Sequence, residues 1–480
     1  MNLFVIAKII GVALNVEAGL MMVPLLFAAY YGENVMPYLI SAFLGFCIGL
    51  VLWIVSQGEH KVKAKEGFVS AGLTWIVLSL IGMLPFLLFQ VVDSGFDAFF
   101  ETVSGFTTTG ATILKDIEAL PKSLNIWRCF MHWIGGMGVL VFMSVFVRFS
   151  SGSQMNLIKA EISGAVVSKL VPRARDTAKI LYGIYIGMTV ITFIVLLILK
   201  MPMYDAVCAT FSAAGTGGFM PLNSSCASYT HEQQLALGIA MFAFGANFNF
   251  YFLLLLRKFE QAFRMEEIWL YTLIALGAAG IISIDLMLNI DRSKPLLTIH
   301  NALFNVVSIM TSTGFALDDI NYWPGISKAV IVFLMFCGAC AGSTSCGFKI
   351  SRLLIMIKAT CRDISVQLHP DMIKKVHIDG KVVEEKVIRA VGVYTFAYFM
   401  VVIISTLLLS IDGKDWGSTF TAVMATFNNI GPGIGINGSF GNYSEFSSFA
   451  KLVMSADMLI GRLEIFPILA LFSRQAWRRF

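Results

Sequence analysis

Apolar residues run along this chain in blocks too long to be the core of a globular domain. Stretches of roughly 20 residues, the length a helix needs to cross a bilayer, recur near 2–28, 35–57, 68–92, 124–148, 178–199, 233–256, 268–289, 326–348, 389–411 and 448–473. This pattern predicts an all-α polytopic membrane protein with about ten spans. The first block carries Glu17, lacks a basic leader and runs long without a convincing cleavage site, so it is read as a retained helix. Between the spans lie shorter apolar runs, and four of them break at glycine: "GFTTTGAT" at Gly110, "AGTGGFM" at Gly218, "MTSTGFA" at Gly314 and "FNNIGPG" at Gly431. An apolar run too short to span that then breaks at glycine reads as a re-entrant half-helix.

The four breaks share one register. Thirteen positions before each glycine stands a residue of helix N-cap type: Asp97, Asp205, Asn301 and Ser418. Aligning the second break on Gly217 loses this match. Apolar residues follow at eleven, seven and four positions before each glycine: Phe99, Val103 and Phe106; Val207, Phe211 and Ala214; Leu303, Val307 and Met310; Phe420, Met424 and Phe427. That spacing is one face of a short helix. The glycines recur roughly every hundred residues, the period of one helix, half-helix, turn, helix unit. The predicted architecture is an N-terminal helix pair (1–60) and four pore-type pseudo-repeats (61–150, 151–258, 259–360 and 361–480) around one central pathway.

Composition agrees, with 57% hydrophobic and 14% charged residues. The net charge of +5 reflects topology and gives no reason to propose nucleic acid. Lys61, Lys63 and Lys65, then Arg148 to Lys179, then Arg257, Lys258 and Arg264, then Lys358 to Lys386, and finally Arg474, Arg478 and Arg479 all flank spans on one side. The positive-inside rule places that side, and both termini, in the cytoplasm. The eight cysteines are scattered, and Cys337 with Cys340 reads as helix packing.

Irregular backbone survives at membrane depth only inside protein or against a watery cavity. The four turns should therefore converge, with four helix C-terminal ends whose partial negative charge favours a cation. These turns, together with "HWIGGMGVLVF", "GACAGSTSCGFK" at 338–349, "HPDMIKKVHIDGKVV" at 369–383 and "IGRLEIF" at 460–466, resemble the TrkH potassium uptake proteins of the Trk/Ktr/HKT superfamily over nearly the whole chain. The resemblance implies a single chain imitating a tetrameric potassium channel, in which carbonyl rings replace the ion's hydration shell. It implies a homodimer in the bacterial inner membrane and a cytosolic nucleotide-binding regulatory subunit of the TrkA type. Carried over by position, the filter residues are Thr108, Thr109 and Gly110; Thr216, Gly217 and Gly218; Ser312, Thr313 and Gly314; Asn429, Ile430 and Gly431. Potassium at this filter is the only ligand expected, and no cofactor. Glycine at all four key positions resembles the potassium-selective members of the superfamily.

Gly338, Gly342 and Gly347, with Ser343, Thr344 and Ser345 between them, should break the eighth span inside the membrane. The resemblance implies that this stretch, which runs to Lys349, is a gate loop; Cys346 stands where many relatives have a small residue such as glycine. Arg462, near the middle of the last span, would cost several kcal/mol in lipid, on the order of 2.5 or more. It is assigned with the loop to gating, or else to an ion pair with Glu464 or an inner-loop acid. Asp93, Asp97, Glu101 and Asp205 near the mouth could concentrate cations, although Asp97 and Asp205 are better explained as caps. His132 reads as a packed, hydrogen-bonded residue in preference to a proton relay. The Asp379-Gly380 pair predicts a hairpin, and with 163–176 it is the candidate surface for the regulatory subunit. An equal reading of both segments is a basic connector near anionic lipid. A secondary transporter would use a midplane pocket between inverted halves, and an enzyme would need clustered catalytic groups. The six histidines His60, His132, His231, His300, His369 and His377 form no HExxH-type array. The alternatives are a transporter of another solute and a less selective potassium/sodium translocator.

Overall fold

The computed structural model describes residues 2–57, 64–146, 174–290 and 293–473. It is mostly helical, with one short hairpin among the described residues. The N-terminal pair comprises α1 (Leu3–Leu20), α2 (Met22–Tyr31), which continues it, and α3 (Met36–Val55). Small residues let α1 and α3 touch backbone to backbone. A Cβ at Gly11 would meet the Gly49 carbonyl, and one at Gly49 would meet the Gly11 carbonyl and the Asn15 side chain. Close approach of small residues is how helices associate where lipid removes the hydrophobic drive.

The next helices are α4 (Ala64–Gly82), α5 (Leu84–Leu88), α6 (Gly95–Phe106), α7 (Lys122–Phe146), α8 (Ala174–Ile198) and α9 (Met203–Gly215). They are followed by α10 (His231–Gly245), α11 (Phe248–Leu255), α12 (Phe259–Phe263), α13 (Glu266–Asn289), α14 (Pro295–Met310) and α15 (Gly325–Cys337). The chain then forms α16 (Ile350–Leu368), a hairpin of β1 (His377–Ile378) and β2 (Lys381–Val382), α17 (Glu385–Leu409), α18 (Trp416–Phe427), α19 (Ser448–Arg462) and α20 (Phe466–Phe472). Six helical segments among the described residues are long and apolar enough to cross a membrane: Leu3–Tyr31, Met36–Val55, Glu66–Leu88, Lys179–Ile198, Glu266–Asn289 and Glu385–Asp412.

Three expected spans are broken. The 233–256 block bends by 91° between α10 and α11, where Ala246 is extended and the Asn247 side chain caps Asn249. The 326–348 block ends as a helix at Cys337, and Gly338 turns at φ 66°, as its glycines predict. In 448–473 the helix stops at Arg462, and Glu464 and Ile465 both take positive φ before α20.

The half-helices α6, α9, α14 and α18 each stop just short of one of the four glycine turns. Their caps correct the sequence reading. The N-cap residues are Ser94, Pro202, Lys294 and Asp415, and the shared register falls inside the helices. Asp97, Asp205 and Ser418 occupy the third helical position, and Asn301 lies deeper because α14 starts at Pro295. The first turn of a helix also favours short polar and acidic residues, through the dipole and free amides, so a cap-type signal was displaced by one turn. The Asp379-Gly380 hairpin forms as predicted, pairing His377 with Val382 and Ile378 with Lys381. Both turn residues have positive φ, the type I′ requirement. Segment 163–173 and the basic residues Lys61, Lys63, Arg148, Lys159, Lys169, Arg173, Arg474, Arg478 and Arg479 lie outside the described residues.

The Asp415 side chain accepts from the Ser418 N–H at 2.9 Å. Hydrogen bonds from Ser418 hold its carboxyl below the usual carboxylate range, so the cap is complete above the ordinary Asp value of about 3.9. It is lost as pH falls through the lowered value. Asp415→Ala is expected to cost about 1 kcal/mol, read as a lower thermal midpoint in detergent at neutral pH, with the difference from wild type closing in acid.

Candidate functional site: four glycine turns and the loop against them

Each half-helix ends in the same hydrogen-bonded turn. The N–H groups of Thr109, Gly217, Thr313 and Ile430 reach back to the carbonyls of Ser104, Ser212, Ser308 and Ala425 at 2.9, 2.9, 2.8 and 2.8 Å. The preceding N–H groups, of Thr108, Thr216, Ser312 and Asn429, bond to Gly105, Ala213, Ile309 and Thr426 at 3.0–3.2 Å. This pair of bonds is the Schellman arrangement, which requires a left-handed residue after the helix and usually places glycine there. Here the left-handed residues are Thr108 (φ 57°), Thr216 (52°), Ser312 (54°) and Asn429 (53°). Such conformations cost about 1–3 kcal/mol each and persist where surrounding structure enforces them. All four are buried to within 1% exposure.

The glycines two residues later close a ring. Gly110, Gly218, Gly314 and Gly431 have φ of 78°, 88°, 82° and 92°. A Cβ at Gly110 would fall within 3.0 Å of the Gly217 carbonyl oxygen; one at Gly218 would meet Thr313, one at Gly314 Ile430, and one at Gly431 Thr109. Each glycine thus lies against the carbonyl that precedes the next glycine, around all four turns. The alignment on Gly218 holds, because Gly217 does not take a positive φ and packs instead on the His132 ring. That ring joins two turns. Its Nδ1 lies 2.8 Å from the Gly105 carbonyl, and the Phe219 N–H donates to its Nε2 at 3.2 Å. A carbonyl only accepts and an amide only donates, so the tautomer is fixed and both nitrogens are committed. This matches the packed reading of His132.

A collar of ties surrounds the ring on the glycine side. Asn223 bonds to Asp116, Ile117 and Glu118; Cys226 N–H donates to Ala316 and Ala316 N–H to Ser225. Asn321 bonds both ways to Gly435, and Tyr443 N–H donates to the Thr112 carbonyl at 2.8 Å. A cavity of about 100 Å³ opens over the four glycines on this side.

The 338–349 loop lies on the other side. Its Cys340 N–H donates to Gly245 and its Gly342 carbonyl accepts from Phe248, both across the break between α10 and α11. Ser345 Oγ lies 2.9 Å from Ser312 Oγ, which also accepts from the Cys346 N–H at 2.9 Å. Arg462 Nη1 donates to the Thr344 carbonyl and Cys346 Sγ at 2.9 and 2.8 Å, and Nη2 to the Gly135 carbonyl at 2.8 Å. The Lys349 ammonium donates back to the Ser345 carbonyl. Gly338, Gly342 and Gly347 all take positive φ. Every predicted gating residue therefore lies in this loop or against it. Cys346, the departure noted in the sequence, is itself an Arg462 partner.

Other expectations are corrected. Glu464 pairs with Arg352, not Arg462. Glu101 does not face the mouth as a free charge; it is fully buried against Arg128 at 2.8 Å and holds the Ile113 N–H and Thr112 hydroxyl of the first turn. Asp97 pairs with Lys451 at 2.6 Å. Sequence reasoning missed Glu267. Its buried carboxylate accepts from the loop's Ala341 N–H at 2.6 Å and from Asn247 Nδ2 at 2.9 Å. An acid at the start of an apolar span was the available signal, as was Arg128 inside the fourth span.

Residues 36–478 match the family model for TrkH, a cation transport protein. The chain is 33% identical over 485 residues to the Trk system potassium uptake protein TrkH of Salmonella typhimurium, covering 100% of both chains. It is 31% identical over 487 residues to that of Halomonas elongata, again covering 100% of both. The crystal structure of the potassium transporter TrkH from Vibrio parahaemolyticus superposes with a TM-score of 0.91 at 29% identity, covering 100% of each chain.

Breaking a buried ion pair by removing one partner costs about 3–5 kcal/mol. Glu101→Ala should therefore lower the thermal midpoint of the detergent-solubilised protein well beyond a surface control such as Glu445→Ala. Equal midpoints would contradict the role given to the pair.

Proposed function

The chain belongs to the TrkH family of cation transport proteins, and on that premise we propose that it carries potassium across the membrane through the ring of four turns. The observation that carries this reading is the closed succession of Gly110, Gly218, Gly314 and Gly431, each against the next turn's carbonyl. Backbone carbonyls packed this way offer a dehydrated cation a shell of oxygens in place of water. Four helix C-terminal ends point their partial negative charge at the same place. The Thr108 hydroxyl, buried without a protein partner, supplies a further oxygen on the loop side. Thr109, Thr216, Gly217, Ser312, Thr313, Asn429 and Ile430 complete the filter. Neutral oxygens suit a monovalent ion that must leave as readily as it enters.

The loop from Gly338 to Lys349 is the gate in this reading, and Arg462 both pins it and places a fixed positive charge beside the path. A chain of contacts from the hairpin to the loop supports control from the side read as cytoplasmic. Asp379 of the hairpin accepts from the Glu266 N–H at 2.8 Å, Lys358 joins Glu266 to the His377 carbonyl, and the adjacent Glu267 holds Ala341 of the loop. A cytosolic nucleotide-binding subunit of the TrkA type, docking on this hairpin, would act on the loop through α13. The basic flanks support a topology with both termini in the cytoplasm, and in this reading the chain works in the inner membrane of a bacterial cell as a homodimer.

Rubidium uptake into liposomes carrying the purified protein, with potassium inside, tests the function. Uptake driven by the potassium gradient and absent from sodium-loaded and empty liposomes is expected. Silence of folded protein with the cytosolic subunit bound would point to another solute. Gly110→Ser should lower the potassium over sodium preference, and an unchanged preference would remove this turn from the filter. Arg462→Ala and Glu267→Gln each remove charge-assisted bonds to the loop, about 1.5–3 kcal/mol, so basal flux should rise roughly tenfold or more. Wild-type flux in folded variants would leave both residues structural.

A further inference from the structure

The fourth turn differs from the other three at its mouth. Among the described residues, Gly431 is the one ring glycine whose carbonyl accepts from a side chain: the Tyr443 hydroxyl donates to it at 2.6 Å. Asn437 Nδ2 faces the same hydroxyl oxygen at 3.2 Å. A phenol has one proton, and here it is committed to Gly431. The amide atom facing the phenol must then be the donating nitrogen, which leaves Asn437 Oδ1 over. That oxygen is buried and has no protein partner, and its residue is 1% exposed.

Both side chains are held in place. The Asn437 carbonyl accepts from the Gly433 N–H at 2.6 Å, and Tyr443 is tied through its own N–H to Thr112. The Tyr443 ring packs on Phe100 and Phe446 at centroid distances of 5.6 and 5.8 Å. Both residues line the cavity over the four glycines. An unmet buried amide oxygen is costly, and the cost of one rigidly held beside a polar cavity is offset when the cavity holds a cation.

We infer that Asn437 Oδ1 is a ligand for the monovalent cation entering the ring, standing in for the Gly431 carbonyl that the Tyr443 hydroxyl engages. This rests on the ring being the ion path. The outermost site then has three backbone positions and one side-chain amide, with no formal charge. An amide oxygen attracts a cation much as a backbone carbonyl does, so the substitution keeps the site neutral while breaking its fourfold equivalence.

The test is rubidium uptake as a function of external concentration, in the same liposomes, for wild type, Asn437→Leu, Asn437→Asp and Tyr443→Phe. Each must elute as a single species in detergent. Asn437→Leu should raise the half-saturating concentration on the order of fivefold, the scale of one lost polar contact. Asn437→Asp, which keeps an oxygen and adds charge, should lower it. Tyr443→Phe should shift the potassium over sodium preference, because it frees the Gly431 carbonyl and unlocks the amide. The proposal is overturned if Asn437→Asp and Tyr443→Phe both behave as wild type while Gly110→Ser alters selectivity. That pattern would leave the ring as the path. If wild type takes up no rubidium and Gly110→Ser changes nothing, the ring reading fails first and takes this one with it.

Discussion

The arrangement depends on one steric constraint: four glycines with no room for a Cβ, each pressed on the carbonyl preceding the next. Any larger residue would have to displace the facing carbonyl, and the positive φ values of 78–92° strain other residues for a second, independent reason. The ring also fixes its neighbours. The residue two before each glycine must be left-handed, and all four are Thr, Ser or Asn, at a strain cost of about 1–3 kcal/mol apiece. That strain persists because the half-helices are buried at their ends and because His132, Asn429 and the collar bind adjacent turns to one another.

The two sides of the ring are built differently. On the glycine side lie neutral oxygens and a small cavity whose lining also includes Lys115 and Arg128, the latter paired with Glu101. On the other side lie Lys349, Arg352 and Arg462 with Glu464 among them. Buried cations this close to the proposed ion path are costly for the ion and for the fold. Loop carbonyls, Cys346 Sγ, the Gly135 carbonyl and Glu464 meet many of their donors, while Arg462 Nε has no protein partner among the described residues. In the proposed reading, moving the loop would change the electrostatics and the obstruction together, and Glu267, which holds Ala341, is the contact through which a signal from the hairpin would act.

Much of this was legible in the sequence. Six of the ten expected spans, the four glycine turns, the broken eighth span and the hairpin rest on local chemistry: apolar length, glycine, or an Asp-Gly pair. The choice of Gly218 over Gly217 rests on the shared register, which holds although its polar residues lie inside the helices. The misreadings share a cause. Asp97, Asp205 and Ser418 look like caps because helix starts favour such residues over a whole turn, and only the backbone says where the turn begins. The 233–256 block looks continuous in the sequence because the partner of Asn247 at the bend, Glu267, lies beyond the block, in α13. Glu101, Arg128, Glu464 and Tyr443 find partners across roughly 10 to over 100 residues of chain, and periodicity carries no record of such pairings.

The most direct measurement is anomalous diffraction from crystals grown in rubidium. A peak on the axis enclosed by Gly110, Gly218, Gly314 and Gly431, lost when sodium replaces rubidium, is the predicted result. Ordered rubidium elsewhere in the membrane region, with the ring unoccupied, would contradict the claim that these four turns hold the ion.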